Sequence, residues 1–197
     1  MSMRVIFRAI APALAALALA SCATVSSAPV GALKVGEAYE VSLGREWSDI
    51  SAVMTGKTKK VRLLSIDGPL LNRLYLTDGL VPGDYLIKPA AKEQPTPVIR
   101  PDMSASERLE FVTDSVAALE YQRVQLARPR AAKFGETSAV RFDLNAQTKE
   151  GLEMRGTGMV AEKNGKIYVV LYLAPAEHYF EAILPEVENL LASARLS

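Results

Sequence analysis

Two side chains that often carry covalent chemistry occur once each: the sequence has one cysteine, Cys22, and one histidine, His178. A single thiol forms no intrachain disulfide and no thiolate metal cluster, so the sequence predicts neither a metal site nor a cofactor. A Ser-His-Asp arrangement would depend on His178. This residue closely follows an apolar run, and we interpret it as a surface residue at the start of a helix. A general base is the alternative.

Cys22 ends a pattern that is typical of exported proteins. Met1–Arg8 carries two positive charges. Ala9–Ala20 is apolar, but its twelve residues fall short of the roughly 20 that a membrane-spanning helix needs. Leu19-Ala20-Ser21-Cys22 overlaps the end of this run, and the motif resembles the lipobox of bacterial lipoprotein precursors.

The resemblance to lipoprotein precursors implies where the protein goes. Residues 1–21 would be a signal peptide removed by cleavage, and the Cys22 thiol would receive a diacylglycerol. Ala23 rather than aspartate follows the cysteine, which favours the outer membrane, with the domain facing the periplasm. We predict a flexible tether over 22–37, where the residues are mostly small and include Ser, Gly and Pro. Ordinary cleavage after Ala20, beside a chance cysteine, is the alternative.

Other polar and aromatic residues make a weaker case for chemistry. The carboxylates able to form an acid–base pair are Asp67, Asp84, Asp143 and Glu153. Each lies in a turn or on an alternating polar face, so we interpret them as solvated. The densest basic run, Lys57–Arg62, is predicted to be an exposed loop and strand edge, with contact to anionic lipid headgroups as the alternative. Trp47 is interpreted as a partly buried core residue rather than a ligand platform.

Composition excludes one class of partner. The chain has 197 residues, 49% of them hydrophobic, which is enough for a sizeable core. Without Arg4 and Arg8 of the signal peptide, 21 basic residues stand against 22 acidic ones, a net charge near −1. A near-neutral chain without a basic stripe predicts no binding to nucleic acid. We expect one folded domain over 38–197.

The first half of this domain shows short strand patterns. Tyr39–Leu43 alternates as a strand does, whereas Trp47–Met54 is ambiguous and compatible with a short helix. Val61–Ile66 and Leu70–Thr77 are apolar runs on either side of an Asp-Gly-Pro turn signal. Residues 88–102 contain four prolines and are predicted to be a linker within the domain.

A helix is predicted over about 104–122. Ser104-Ala105-Ser106-Glu107 matches a capping box, in which the hydroxyl and the carboxylate bind free amides of the first turn. The apolar residues that follow recur at spacings of three and four, which gives one apolar face toward a sheet. They are Leu109, Val112, Val116 and Leu119.

An antiparallel meander is expected after this helix. Residues 140–147 alternate between apolar and polar, which predicts a strand with one wet face. Residues 152–162 make a second strand. Asn164-Gly165 is a strong hairpin signal, because a type I′ turn needs positive φ at both central positions. Ile167–Ala174 completes the hairpin.

The chain closes with a helical pattern. It runs from Pro175 to Ser197, and Pro185 is expected to start or kink the main helix. The order of elements predicts the α+β class, with an antiparallel sheet, a central helix and a C-terminal helix packed on the sheet.

Two glycines in the second strand of the meander indicate a close contact. A two-residue turn places Gly158 opposite Leu171 and Gly156 opposite Leu173. Glycine inside a strand is unfavourable, so two on one face suggest that another element approaches them. We predict cover by the closing helix, through Val187, Leu190 and Leu191. An open ligand groove floored by the glycines is the alternative.

Part of this pattern resembles a known fold. Ser104–Leu196, with its helix, the Gly156-Thr157-Gly158 and Asn164-Gly165 motifs and the closing helix, resembles PsbP-like domains. These have the fold of a photosystem extrinsic subunit that also occurs in many bacterial lipoproteins. Leu64–Leu76 resembles part of an uncharacterised bacterial lipoprotein family. Neither resemblance supplies a catalytic residue.

The sequence favours a non-enzymatic, lipid-anchored protein that binds or scaffolds another component of the cell envelope. A carrier of a small apolar ligand or lipid, held between sheet and helices, is the alternative. Ile167–Ala174 distinguishes the two, because Tyr168, Val170 and Tyr172 make its second face apolar as well. That face is either covered or presents a patch.

Overall fold

The large antiparallel sheet determines where every other element lies. The computed structural model describes residues 25–54, 60–87 and 95–196. The strands are β1 (Ser26–Ala28), β2 (Gly31–Val35), β3 (Tyr39–Leu43), β4 (Trp47–Asp49), β5 (Val61–Ser65), β6 (Arg73–Thr77), β7 (Gln122–Phe134), β8 (Thr137–Gln147), β9 (Glu153–Lys163), β10 (Lys166–Pro175) and β11 (Arg195–Leu196). Eight form one sheet in the order β1-β4-β5-β6-β10-β9-β8-β7, and three form a smaller sheet in the order β11-β3-β2.

One helix packs on each face of the large sheet, which gives a strand-rich α+β fold. α1 (Ala105–Ala117) packs on the face that carries Val169 and Leu171 of β10. α2 (Glu181–Ser193) and the small sheet pack on the opposite face, which carries Tyr168 and Tyr172. All of β10 after its first residue is buried. The second apolar face of this strand is therefore covered.

The hairpin between β9 and β10 has the predicted register. Gly158 pairs with Leu171 and Gly156 with Leu173. Asn164 and Gly165 both take positive φ, at 54° and 71°. A two-residue turn of this kind matches the twist of the strands that it joins, so the register follows from the turn alone.

Gly156 and Gly158 lie on the α1 face, so the prediction that the closing helix covers them is wrong. A Cβ on Gly158 would come within 2.8 Å of the Phe142 ring and 2.5 Å of the Val170 carbonyl oxygen. The close approach is thus made within the sheet, by a ring on the neighbouring strand β8. The helix residues named for that contact pack on the opposite face. They are Val187, Leu190 and Leu191.

The capping box predicted at the start of α1 is present. The Ser104 hydroxyl accepts from the Glu107 amide at 3.2 Å, and the Glu107 carboxylate accepts from the Ser104 amide at 2.8 Å. The helix ends at Ala117, earlier than the predicted 122. Glu120 takes a φ of 67°, which ends the helical path, and β7 begins two residues later.

We expect the apolar face of α1 to dominate its contribution to stability. Leu109 is 8% exposed, and Val112 and Val116 are fully buried against the sheet. Leu109→Ala is expected to lower the free energy of unfolding by about 2–5 kcal/mol, through lost burial and the cavity left behind. Glu110→Ala, on the exposed face of the same turn, is the control and should change it little. Equal losses in guanidinium melts would show that the face is misassigned.

Residues 26–35, predicted as part of a flexible tether, form strands instead. β1 pairs with β4, and β2 pairs with β3. Ala28, Leu33 and Val35 are buried by these pairings. The tether prediction over 22–37 is therefore wrong in this stretch, because packing against neighbouring strands and burial outweigh the weak intrinsic strand preference of these residues.

Two other segments differ from their predictions. Trp47–Met54 begins with strand β4 and continues as a turn, not as a helix. The described part of the predicted linker, residues 95–102, is irregular but packed, since Ile99 is buried and exchanges backbone hydrogen bonds with Gly83 and Asp84. Its prolines prevent regular structure without preventing burial.

The polar face of β8 is less exposed than predicted. Arg141 is only 8% exposed, because Glu188 of α2 lies over it. α2 begins at Glu181, four residues before Pro185. The helix therefore does not start at Pro185, and this proline, its fifth residue, has no amide hydrogen to donate to the Glu181 carbonyl.

Candidate functional site

Of the single cysteine and the single histidine, only His178 lies within the described residues. Cys22, like the predicted signal peptide over 1–21, lies outside the described residues. His178 is exposed in the turn between β10 and α2, with φ 63° and ψ −59°. Its ring meets Tyr179 edge-on, with the centroids 5.2 Å apart. The structure therefore places this imidazole at the surface.

The four candidate carboxylates are not brought together. Asp67 accepts from the Asn72 amide at 2.6 Å in the turn between β5 and β6. Glu153 accepts from Gln147 at 2.8 Å at the start of β9. Asp143 lies in the middle of β8 and pairs with Thr157, four residues along β9 from Glu153, or about 13 Å at strand spacing. Across the described ranges, no three metal-binding side chains cluster.

The described part of the basic run, residues 60–62, takes part in ion pairs. Residues 57–59 lie outside the described residues. Lys60 binds Asp84 at 2.7 Å, and Arg62 binds Asp49 at 2.8 Å. Partial burial acts to raise the pKa of Asp84, but hydrogen bonds from Lys60 and the Val81 amide hold that pKa below its usual value.

Trp47 is a core residue. It is 1% exposed, and its ring meets Tyr172 at right angles with the centroids 6.5 Å apart. Trp47 is therefore no surface platform for a ligand, and it is more deeply buried than the sequence indicated.

A groove rich in arginine opens beside β7, on the α2 face of the large sheet. Its volume is about 350 Å³. We call it the arginine groove, and its lining residues are Arg128, Arg130, Asp143, Arg155, Phe180, Leu184 and Glu188.

A β-bulge in β7 supplies the first of these arginines. Ala127 pairs with Asp143 and Arg130 with Arg141, so β7 carries one extra residue between the two pairs. Arg128 takes a φ of 47°, which is uncommon for a residue other than glycine. In a regular ladder residue 128 would point toward α1. The bulge turns it to the other face, where Arg128 Nε lies 2.7 Å from Asp143 Oδ2.

The Asp143 carboxylate forms ion pairs with two arginines, Arg128 and Arg130. Arg130 Nη1 lies 3.4 Å from the same Oδ2 that binds Arg128. The other carboxylate oxygen accepts from the Thr157 hydroxyl at 2.8 Å. Asp143 is 15% exposed, whereas Arg128 and Arg130 are 71% and 47% exposed. One carboxylate thus faces two cations, and positive charge remains at the rim of the groove.

Arg155, on β9, lines another part of the groove, where it contacts Phe180 and Glu181. Its guanidinium carbon lies 4.4 Å from the centroid of the Phe180 ring, within range of a cation–π interaction. It also forms an ion pair with Glu181 at the start of α2. The groove therefore combines fixed charge with the apolar surface of Leu184, which is partly exposed, whereas Phe180 is only 2% exposed.

A fourth arginine is buried next to the groove. Arg141 Nη2 donates to Thr157 Oγ1 at 2.9 Å and to Glu188 Oε1 at 2.7 Å. Its Nε has no hydrogen-bond partner among the described residues. Thr157 donates in turn to Asp143, so Arg141 belongs to the same network as the groove carboxylates.

This arrangement is suited to binding an anion. Arginine stays protonated at any physiological pH, so it exchanges no proton with a ligand. Its planar fork of N–H donors matches carboxylate and phosphate oxygens. The groove offers recognition by fixed charge rather than acid–base chemistry.

Sequence reasoning missed most of this site. It singled out Asp143, as a solvated carboxylate, and none of the arginines that surround it. The available signal was Arg128-Pro129-Arg130, because proline inside a strand is confined to edges and bulges. That motif is compatible with an edge strand, but it does not indicate which strand would pair with it or which carboxylate the arginines would contact.

The fold resembles two solved structures. Cyanobacterial PsbP (CyanoP) from Synechocystis sp. PCC 6803 matches with a TM-score of 0.54 at 12% identity, over 90% of this chain and 95% of that chain. The chain has a PsbP-like fold. The Ran-binding protein Mog1p from Saccharomyces cerevisiae matches with a TM-score of 0.51 at 9% identity, over 88% of this chain and 93% of that chain.

At these identities the likeness concerns the PsbP-like fold alone. No protein-family model and no curated protein matches the sequence. In the described ranges, neither helix has the length and apolar character to cross a membrane.

Proposed function

We propose that this protein is a non-enzymatic lipoprotein of the outer membrane, attached through Cys22 and facing the periplasm, that binds another component of the cell envelope. The observation that carries the binding role is the arginine groove. Its arginines are permanently charged, and ion pairs with Asp143 and Glu181 hold them in place. Such an arrangement suits recognition of a partner. The lipobox motif ending in Cys22 supports the anchor.

Attachment at Cys22 would hold the domain close to the bilayer. β1 begins at Ser26, so only three residues separate it from the cysteine. Four residue steps span at most about 14 Å. The domain would therefore lie against the membrane surface. A flexible tether reaching residue 37 would instead have let it move farther away.

The covered interior favours binding at the surface over carriage of an apolar ligand. Tyr168, Val170 and Tyr172 on the second face of β10 are packed in the core with α2 and the small sheet. On the first face, Phe142 fills the space over Gly158. A ligand between sheet and helix would have to displace these side chains.

The anchor is tested by replacing its thiol. Cys22→Ser is expected to abolish acylation, because the serine hydroxyl is a poor nucleophile that cannot form the thioether. The protein should leave the outer-membrane fraction of a density gradient, and intact mass should show no acyl chains. Two or three acyl chains bind a bilayer stably, so the effect should be nearly all-or-none. Ser26→Ala, at the start of β1, is the matched control and should fractionate as the native chain does.

Either of two results would contradict the anchor. One is acyl labelling that persists in Cys22→Ser. The other is a native chain that is found soluble in the periplasm, cleaved after Ala20 and unmodified at Cys22.

A further inference from the structure

We propose that the arginine groove binds a carboxylate side chain, with an adjacent apolar residue, from an acidic peptide segment of a partner protein. This rests on the proposed function, since the partner would be the envelope component that the lipoprotein recruits. It names the surface that makes the contact and the chemistry of the contact.

The charge of the groove matches a single negative charge. Three arginines and two carboxylates line it. The buried Arg141 and the ion-paired Glu181 add one charge of each sign. The network is left with one net positive charge, and it lies at the pair that shares Asp143. A carboxylate neutralises this charge, whereas a doubly charged phosphate would leave one negative charge uncompensated beside the Asp143 and Glu188 carboxylates.

The backbone of β7 is shaped to present these two guanidinium groups. The bulge and the positive φ of Arg128 turn its side chain to the face that Arg130 already occupies. Backbone conformations that are costly for the residue type cluster at functional sites. Arg123 lies in a second bulge of the same strand with a φ of 50°, but it does not line the groove. Arg123 therefore provides an internal comparison.

The remaining surface of the groove fits a side chain next to the carboxylate. Leu184, which is partly exposed, supplies an apolar contact beside Arg155, and the buried Phe180 ring lies beneath the Arg155 guanidinium. A volume of about 350 Å³ lies near the small end of the range for ligand sites, roughly 300–1,000 Å³. Pro129 and the two bulges interrupt the free edge of β7, so a peptide would be recognised by its side chains rather than added as a strand.

The position of the groove favours a protein over the anchoring membrane. β1, the strand nearest Cys22, forms one edge of the large sheet, and β7 forms the other. Seven strand spacings separate them, or about 33 Å along the sheet. The four residue steps from Cys22 to Ser26 span less than half of that. The groove thus lies at the edge of the large sheet that is farthest in strand order from the anchored end, and this placement favours a periplasmic partner.

The test is calorimetric titration of the full acylated chain, purified in nonionic detergent, with acetyl-Gly-Leu-Glu-Leu-Gly-amide. The expected result is saturable binding that weakens at least tenfold for the peptide with Gln in place of Glu. Charge-assisted hydrogen bonds of about 1.5–3 kcal/mol correspond to roughly ten- to hundredfold in affinity, so Arg128→Gln and Arg130→Gln should each weaken binding by that factor. Arg123→Gln is the matched control and should bind as the native chain does, and thermal melts should show all three variants folded.

Three results would overturn the proposal. Equal affinity for the Glu and Gln peptides would show that the carboxylate is not recognised. Absence of binding to the Glu peptide would remove the site. Displacement of the peptide by inorganic phosphate, or by micelles doped with phosphatidylglycerol, would assign the groove to a phosphate or a lipid headgroup instead. None of these changes the fractionation of Cys22→Ser, so the peptide site and the anchor fail separately.

Discussion

Replacing Phe142 with alanine is expected to lower the free energy of unfolding by about 3–5 kcal/mol. The ring is fully buried in the core between the large sheet and α1. It lies against Gly158, where a Cβ would come within 2.8 Å of it. A glycine has no side chain with which to fill the space that the ring leaves, so the cavity should remain. Guanidinium unfolding curves measure the loss.

Two variants identify the cause of that loss. Phe142→Leu keeps most of the apolar volume and should cost clearly less than the alanine change. Gly158→Ala should itself lower the free energy of unfolding by about 1–3 kcal/mol. Its Cβ would lie 2.5 Å from the Val170 carbonyl oxygen, and a backbone atom within a sheet cannot easily move away. A Phe142→Ala loss below about 1 kcal/mol would mean that the ring does not fill this space.

Glu188→Ala is expected to cost more than its position on an exposed helix face suggests. Glu188 is 48% exposed, but its carboxylate accepts from Arg141, whose side chain is only 10% exposed. Removing the carboxylate leaves a buried guanidinium without its counter-charge, and Arg141 Nε already lacks a partner among the described residues. Hydrogen bonds to charged groups contribute about 1.5–3 kcal/mol, and we expect a loss in that range.

Two further variants separate the loss of the ion pair from any effect of the substitution on helix stability. Asn189→Ala, the neighbouring exposed position on α2, should change the free energy of unfolding little. The double variant Arg141→Met, Glu188→Ala should recover much of the loss, since replacing a buried ion pair with apolar groups is often neutral. Equal free energies of unfolding for Glu188→Ala and Asn189→Ala would contradict the ion pair between Arg141 and Glu188.

The parts of this protein that the sequence predicted well are those in which neighbouring residues determine the structure. The hairpin register follows from Asn164-Gly165, because the turn needs positive φ at two adjacent positions and the strands must then pair symmetrically about it. The start of α1 follows from Ser104 and Glu107, whose side chains satisfy amides within one turn. Helical spacing predicts the buried residues Leu109, Val112 and Val116 of α1, whereas Leu119 lies past the end of the helix and is only partly buried.

The segments that sequence reasoning missed or misassigned depend on distant strands. β1 and β2 contain small or weakly patterned residues, and they are strands only because β4 and β3 lie beside them. β7 alternates poorly because two bulges shift its register, so its length was not apparent. The predicted close approach at Gly156 and Gly158 is confirmed, but the approaching side chains come from neighbouring strands, Phe142 at Gly158 and Leu173 at Gly156.

The arginine groove is the clearest case of a feature decided by tertiary structure. The sequence alone predicted that Asp143 lies on a polar face, and no prediction was made for Arg128-Pro129-Arg130. Their meeting required β7 to pair with β8, with one extra residue at the bulge, and α2 to fold back over β8. An ion pair between residues 15 positions apart depends on that register, since a slip of one residue turns a side chain to the opposite face of the sheet.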